Sequence, residues 1–344
     1  MKTIVMEREQ EEMQFLGVFG IYKEAYKIIF SWKKIFSQIT LALILPLTLI
    51  SLAQIEVSNV LSGKVINNKA ELLGTEAGTK RYNKLSHHIS SELAYFWLFE
   101  VAYLILSLIF SLLSTAAVVN TIASIYTDRE VSFKKVMSVV PKVWKRLMVT
   151  FLSIFVAFFA YSVVAILVSS LVLIIASFVF IGFPYLKVFY SFGIVLLVLY
   201  FMGVVYMTIV WQLASAVSVL EEACGFKPMT KSRALIKGKM WTARIIFFML
   251  YLSYGVICMA FQNLVVHGVS MNTATRVLFG VICLPLFLGL FLFGLVIQTV
   301  IYFVCKSNHH EKIEKSALSD HLDVYHGEYV PLNSKDVQFE QSYV

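Results

Sequence analysis

Charged side chains are what this sequence has least of. Only 15% of its 344 residues are Asp, Glu, Lys or Arg, where a soluble domain carries about 25%. A chain this poor in charge cannot clothe a water-facing surface. Six prolines and sixteen glycines are too few for a collagen-like or low-complexity chain, and four cysteines too few for a disulfide scaffold. The catalytic signatures are missing as well: no Walker loop, no Gly-x-Ser-x-Gly elbow, no Rossmann fingerprint and no paired-histidine zinc motif. His87-His88 and His309-His310 have neither the i,i+4 spacing nor the cysteine partners of a zinc site. No cofactor or metal is therefore expected, and no motif points to an enzyme, although missing motifs do not exclude an intramembrane one.

What the chain does have is apolar length. Its hydrophobic share is 59%, and a spanning helix needs roughly 20 mostly apolar residues. Six stretches qualify, at 35–55, 94–125, 147–180, 188–219, 245–267 and 277–305. The expected fold class is all-α: a polytopic membrane helix bundle of six transmembrane helices, with segment 1–34 before it and a tail, 306–344, after it. The charge-free third stretch, Leu147 to Phe180, exceeds a bilayer as one helix. It should tilt, or leave helix ahead of the Gly182-Phe183-Pro184 turn.

Orientation follows from the basic residues. The N-terminal segment, the 127–146 and 220–244 loops and the tail hold 22 of the 29 Lys and Arg. Both termini are thus expected on the cytosolic side, facing an anionic leaflet. Residues 1–16 include Glu7, Glu9, Glu11 and Glu12 and no apolar signal core, so the first span should serve as an uncleaved insertion signal. The net charge of +8 is spread over juxtamembrane segments, which orientation and lipid attraction explain without a nucleic-acid partner.

An amphipathic basic segment ending in Trp stands before each odd-numbered span. The three run from Tyr22-Lys23 to Trp32, from Phe133-Lys134 to Trp144, and from Phe226-Lys227 to Trp241. In the first, Val18, Tyr22, Ala25, Ile29 and Trp32 share one helix face. Such a segment is expected in the headgroup plane, with Trp32, Trp144 and Trp241 as interfacial anchors. The pattern reads as three copies of an interfacial helix followed by a helical hairpin.

Within the spans, Glu100 is the only acidic residue. An intramembrane carboxylate is costly and hence a functional candidate. It could relay protons or pair with a cation, meeting Gln262, Asn263 and His267 of span five, or simply reach interfacial water near its end. Gln54, Asn120, Gln212 and Gln298 sit towards span ends and read as structural. Pro46 and Pro285 mark helix breaks within spans one and six. Cys305 and Cys224 lie where palmitoylation is feasible, with buried inert thiols as the alternative. In the tail, Tyr329-x-x-Leu332 fits the Tyr-x-x-apolar pattern that clathrin adaptors bind as an extended peptide.

The chain resembles a land-plant family of six-span membrane proteins. The resemblance runs nearly end to end. It rests on Glu11 through Leu16, Ser111 through Val119, Pro141 through Leu147, Ser218 through Glu221, and in the tail on Tyr302 through Ser307, His309-His310, Lys315 through Leu318 and Gly327 through Leu332. Some members carry a label linking them to a polyadenylate-binding protein, for which no peptide- or RNA-binding pattern is present here. A looser similarity, on Gly225, Ser232, Leu235 and Gly238, is to the membrane domain of prokaryotic glycerophosphodiester phosphodiesterases. Their catalytic domain has no counterpart in this sequence, so no hydrolase activity is implied. The resemblance implies a six-span membrane protein without an established activity. The missing catalytic motifs and the interfacial anchors point to a non-enzymatic protein of the endomembrane system or plasma membrane, one that organises membrane or partners and is sorted by its tail. The alternative is a transporter or channel built on Glu100 and the polar residues of span five.

Overall fold

A computed structural model describes residues 13–75, 78–127, 131–179, 185–221, 223–266 and 272–309. Among these residues all regular structure is helical. The helices are α1 (Val18–Ser31), α2 (Lys33–Ile39), α3 (Leu45–Leu73), α4 (Lys80–Tyr126), α5 (Phe133–Val179), α6 (Tyr185–Leu220), α7 (Lys227–Leu235), α8 (Met240–Phe261) and α9 (Thr273–Asn308). Two π-helical turns, Thr40–Ile44 and Gln262–Val266, complete the chain path. Among the described residues, six segments are long and apolar enough to cross a membrane.

The core lies towards one end of the bundle, the end that carries most of the basic residues. Val296 through Cys305 of α9 are buried without a break, as are Ser114 through Ser124 of α4 and Leu213 through Leu220 of α6. A helix wrapped on all sides has no polar face to keep, which is why these stretches read as continuous apolar and small residues. Small side chains on α4 (Ser114, Ala116, Ala117, Ala123) let neighbouring backbones approach closely, the packing mode open to helices in lipid.

The three basic segments close around this core. On α1 the buried face is Ile21, Ala25 and Ile28, with Val18, Tyr22 and Ile29 packed beside it against α8 and α9. On α5 it is Val136, Val139, Val140 and Val143. On α7 it is Pro228, Ser232 and Leu235, and the Ser232 hydroxyl donates to the Val210 carbonyl of α6 at 2.9 Å. The buried apolar faces are thus covered by protein, not by headgroups as expected. The three copies also diverge. The first breaks at Trp32, the third at a turn holding Gly238 at φ +91°, and the second runs uninterrupted into its span.

Span three does not leave helix among its described residues; α5 is continuous for 47 residues, roughly 70 Å at 1.5 Å per residue. The Gly182-Phe183-Pro184 turn lies outside the described residues. The 56–93 segment between the first two predicted spans is mostly a continuation of α3 and α4 as a helical hairpin. Asn68 donates to Glu92 at 2.7 Å and Arg81 pairs with Glu71 at 2.6 Å along it. Thr79 caps α4 by accepting from the Tyr82 amide.

Pro46 does not break its span as expected: a π turn precedes it and the chain stays helical from Lys33 to Leu73. Its ring crowds the carbonyl four residues back, and the backbone responds by widening: the Leu45 amide bonds Thr40, five residues back. Pro285 sits inside an unbroken α9, its side turned outward.

Candidate functional site

Where the basic end packs tightly, the middle of the bundle parts. Helices α4 and α8 both line a gap in the bundle and make few backbone contacts with one another. The gap is a cavity of about 520 Å³, floored by α9 and bounded towards the basic end by Phe151 of α5 and Trp211 of α6. Gly294 contributes part of the floor; a Cβ there would meet nothing within 4 Å. Leu104 and Tyr251 of the lining are themselves exposed, as are Ile105 and Leu252 beside them, so the cavity opens among exposed apolar residues of α4 and α8.

Its walls combine hydrocarbon with hydroxyl and amide groups. Ser107, Ser111 and Thr115 line it at i, i+4 and i+8 on α4, one above another on successive turns. Opposite them is a glutamine pair. Gln298 of α9, 3% exposed, donates to the Gln212 carbonyl at 2.7 Å and to the Ser215 hydroxyl at 2.9 Å. The Gln212 amide in turn donates to the Tyr251 hydroxyl of α8 at 3.2 Å. These bonds tie α6, α8 and α9 together behind the gap. Gln212 and Gln298 do have the structural role expected of them, and they also line the cavity.

Glu100 stands one turn from Leu104, beyond the cavity's end away from the basic loops. Its expected partners are corrected. The carboxylate accepts from the Gln54 amide at 3.3 and 3.4 Å, across the α3–α4 hairpin. Gln262 and Asn263 are exposed in the second π turn, and His267 lies outside the described residues. Half a turn past Gln54, Glu56 approaches Arg276 at 3.8 Å, and Arg276 donates to the Val265 carbonyl at 2.7 Å. Arg276 is in the first turn of α9, so Glu100 belongs to a polar rim at this end of the bundle.

At the basic end a second polar cluster closes the core. Glu221, 16% exposed at its side chain, pairs with Lys231 at 2.7 Å and Lys306 at 3.3 Å and accepts from the Tyr302 hydroxyl at 2.8 Å. Burial pushes its pKa up, but the hydrogen bonds from Lys231 and Tyr302 and the charges of Lys306 and Lys231 outweigh that, holding it below the ordinary carboxylate value. The cluster joins α6, α7 and α9. His309 adds a 2.9 Å contact to the Leu235 carbonyl.

The anchoring residues divide. Trp241 is 73% exposed with the Arg244 guanidinium 4.6 Å over its ring, and Trp32 is exposed at the α1–α2 break. Trp144 is corrected: it turns into the core, with a buried indole N–H that has no acceptor among the described residues. Cys224 is exposed, whereas Cys305 is fully buried and cannot be acylated in this fold. Tyr329 and Leu332 lie outside the described residues.

The sequence reading missed Ser107, Ser111, Thr115, Tyr251 and Tyr254 as lining residues. A hydroxyl at every fourth position of span two was the available signal, but serine and threonine are frequent in membrane helices for packing alone.

Fold and cavity together define a multi-pass α-helical membrane protein with a gap between two of its spans. The chain belongs to the family described as a domain of unknown function, DUF8558, which matches residues 6–342. No curated protein and no solved structure matches it.

Proposed function

We propose that this protein takes a lipid-like molecule into the gap between α4 and α8 from the side, holding it or handing it on within the membrane. The supporting observation is the cavity itself. Its volume of about 520 Å³ falls within the ~300–1,000 Å³ of small-molecule sites, and such sites are mostly apolar with a few placed polar groups. A photoactivatable fatty-acyl probe in membranes containing the protein should label peptides from 103–115 and 247–254 above the other lipid-facing segments. Uniform labelling of α4, α5 and α6 would remove the proposal.

In this reading both termini are cytosolic, supported by the concentration of Lys and Arg in the N-terminal segment, alternate loops and tail. A proton relay through Glu100 is less well supported, since its partner is Gln54 at the rim. Flux that survives Glu100→Gln would exclude the relay.

A second reading, membrane organisation with a sorting tail, is supported by the outward face of α1. Phe19, Tyr26 and Phe30 form one exposed stripe opposite the buried face, with Lys23 and Lys27 exposed beside it. Aromatic rings beside lysines suit an anionic cytosolic leaflet. Tyr329 and Leu332 would engage a clathrin adaptor, directing the protein among endomembranes or to the plasma membrane. An unchanged distribution of Tyr329→Ala would exclude that motif.

A further inference from the structure

Resting on the proposed lateral site, we infer that its occupant is an uncharged lipid bearing hydroxyl and ester groups, an acylglycerol. Its polar part would lie between Ser107 and Ser111 of α4 and Gln212 of α6, and its acyl chains would leave through the gap between α4 and α8.

The charge of the ligand follows from the lining. Among the described residues, no Lys, Arg, His, Asp or Glu lines the cavity. A phosphate or ammonium headgroup placed there would be an unpaired ion at membrane depth, which costs several kcal/mol. Glu100 and Arg276 stand outside the lining, engaged with Gln54 and with Glu56 and the Val265 carbonyl.

A pure hydrocarbon fits no better, because polar capacity is left over. The Ser111 hydroxyl and the Tyr103 phenol line the cavity without any hydrogen bond to the described residues. The Ser107 hydroxyl donates to the Leu104 carbonyl at 3.1 Å and retains its acceptor lone pairs. Successive polar positions on α4 are about one pitch, ~5.4 Å, apart. A ligand with one hydroxyl reaches one of them. A glycerol backbone with a hydroxyl and two ester carbonyls presents several donors and acceptors at that spacing. Leu104, Leu108, Leu250 and Phe291 supply the hydrocarbon wall around them.

The test is native mass spectrometry of the full chain released from nanodiscs of phosphatidylcholine and phosphatidylserine doped with dioleoylglycerol. The wild-type chain should retain dioleoylglycerol in preference to either phospholipid. Ser107→Ala with Ser111→Ala keeps the cavity and removes two hydroxyls, and should lower retention about five-fold, the equivalent of one or two hydrogen bonds. Gly294→Leu fills the floor and should abolish it. Leu104→Trp, on the exposed lip, provides a second blocking variant should Gly294→Leu fail to fold. Retention of a phospholipid or of no particular lipid class, lost on blocking, overturns the acylglycerol and leaves the lateral site standing. Dioleoylglycerol retained equally by both alanines overturns the polar contacts assigned to it. Retention unchanged by both blocking variants overturns the site as well.

Discussion

Gln298 shows how a buried amide in lipid becomes tolerable: both of its donors are used, on a backbone carbonyl and a serine, and it is sealed from the surface. Gln298→Leu should lower stability by about 1–2 kcal/mol, near the upper end of interhelical hydrogen bonds in membranes, read as a lower melting temperature in detergent. Glu221 makes a pH-dependent contribution. Its folded pKa is depressed, so its stabilisation is present above the unfolded carboxylate value, about 4.3 for glutamate, and is lost as pH falls through the folded value. The wild-type melting temperature should drop across that acid window, and Glu221→Gln should melt lower at neutral pH with a flatter acid limb. Thiol exposure makes a third check. A maleimide should modify Cys224 in the folded protein and reach Cys305 only after denaturation. None of these environments follows from residue type. Both cysteines stand beside basic residues at the same end of the bundle, and only the wrapping of α9 separates them.

On the scale of the element, α1 has two apolar faces with different destinations. Ala25 is fully buried against the core, while Phe19 is 90% exposed on the other side. Ala25→Leu should cost about 1–3 kcal/mol by overpacking. Phe19→Ser should stay within about 0.5 kcal/mol, the range of surface changes. Thermal unfolding in one detergent would compare them, and equal losses would contradict the assignment of faces. The periodicity at Val18, Tyr22, Ala25 and Ile29 was legible because helical spacing does not depend on what covers the face. Whether protein or headgroups cover it is a tertiary matter, and the answer is protein. The 56–93 segment carries the same lesson from the other side. Its polar composition excluded a buried span, but polar residues support a helix as readily as a loop when a partner helix lies alongside.

On the scale of the whole molecule, tight packing at one end and parting in the middle come from the distribution of small and bulky residues. Ser114 to Ser124 of α4 admits close neighbours. Between Tyr103 and Leu112 on the same helix, Ser107 and Ser111 stand among bulky leucine, isoleucine and phenylalanine side chains, and few backbone contacts reach α8. With the proposed sidedness, a tag placed after Val344 should be protected from protease in sealed right-side-out plasma-membrane vesicles and cut once they are permeabilised.

Composition and hydrophobic length by themselves determined that the chain lives in a bilayer, that it is helical and how many times it can cross. Each of those depends on local free energies of transfer and backbone satisfaction, which a sequence window contains. The pairing of Glu100 with Gln54, the inward turn of Trp144, the burial of Cys305 and the gap between α4 and α8 were decided only by the tertiary structure. They depend on which helix stands beside which, and in lipid every apolar face is an equally acceptable neighbour until packing and hydrogen bonds choose among them.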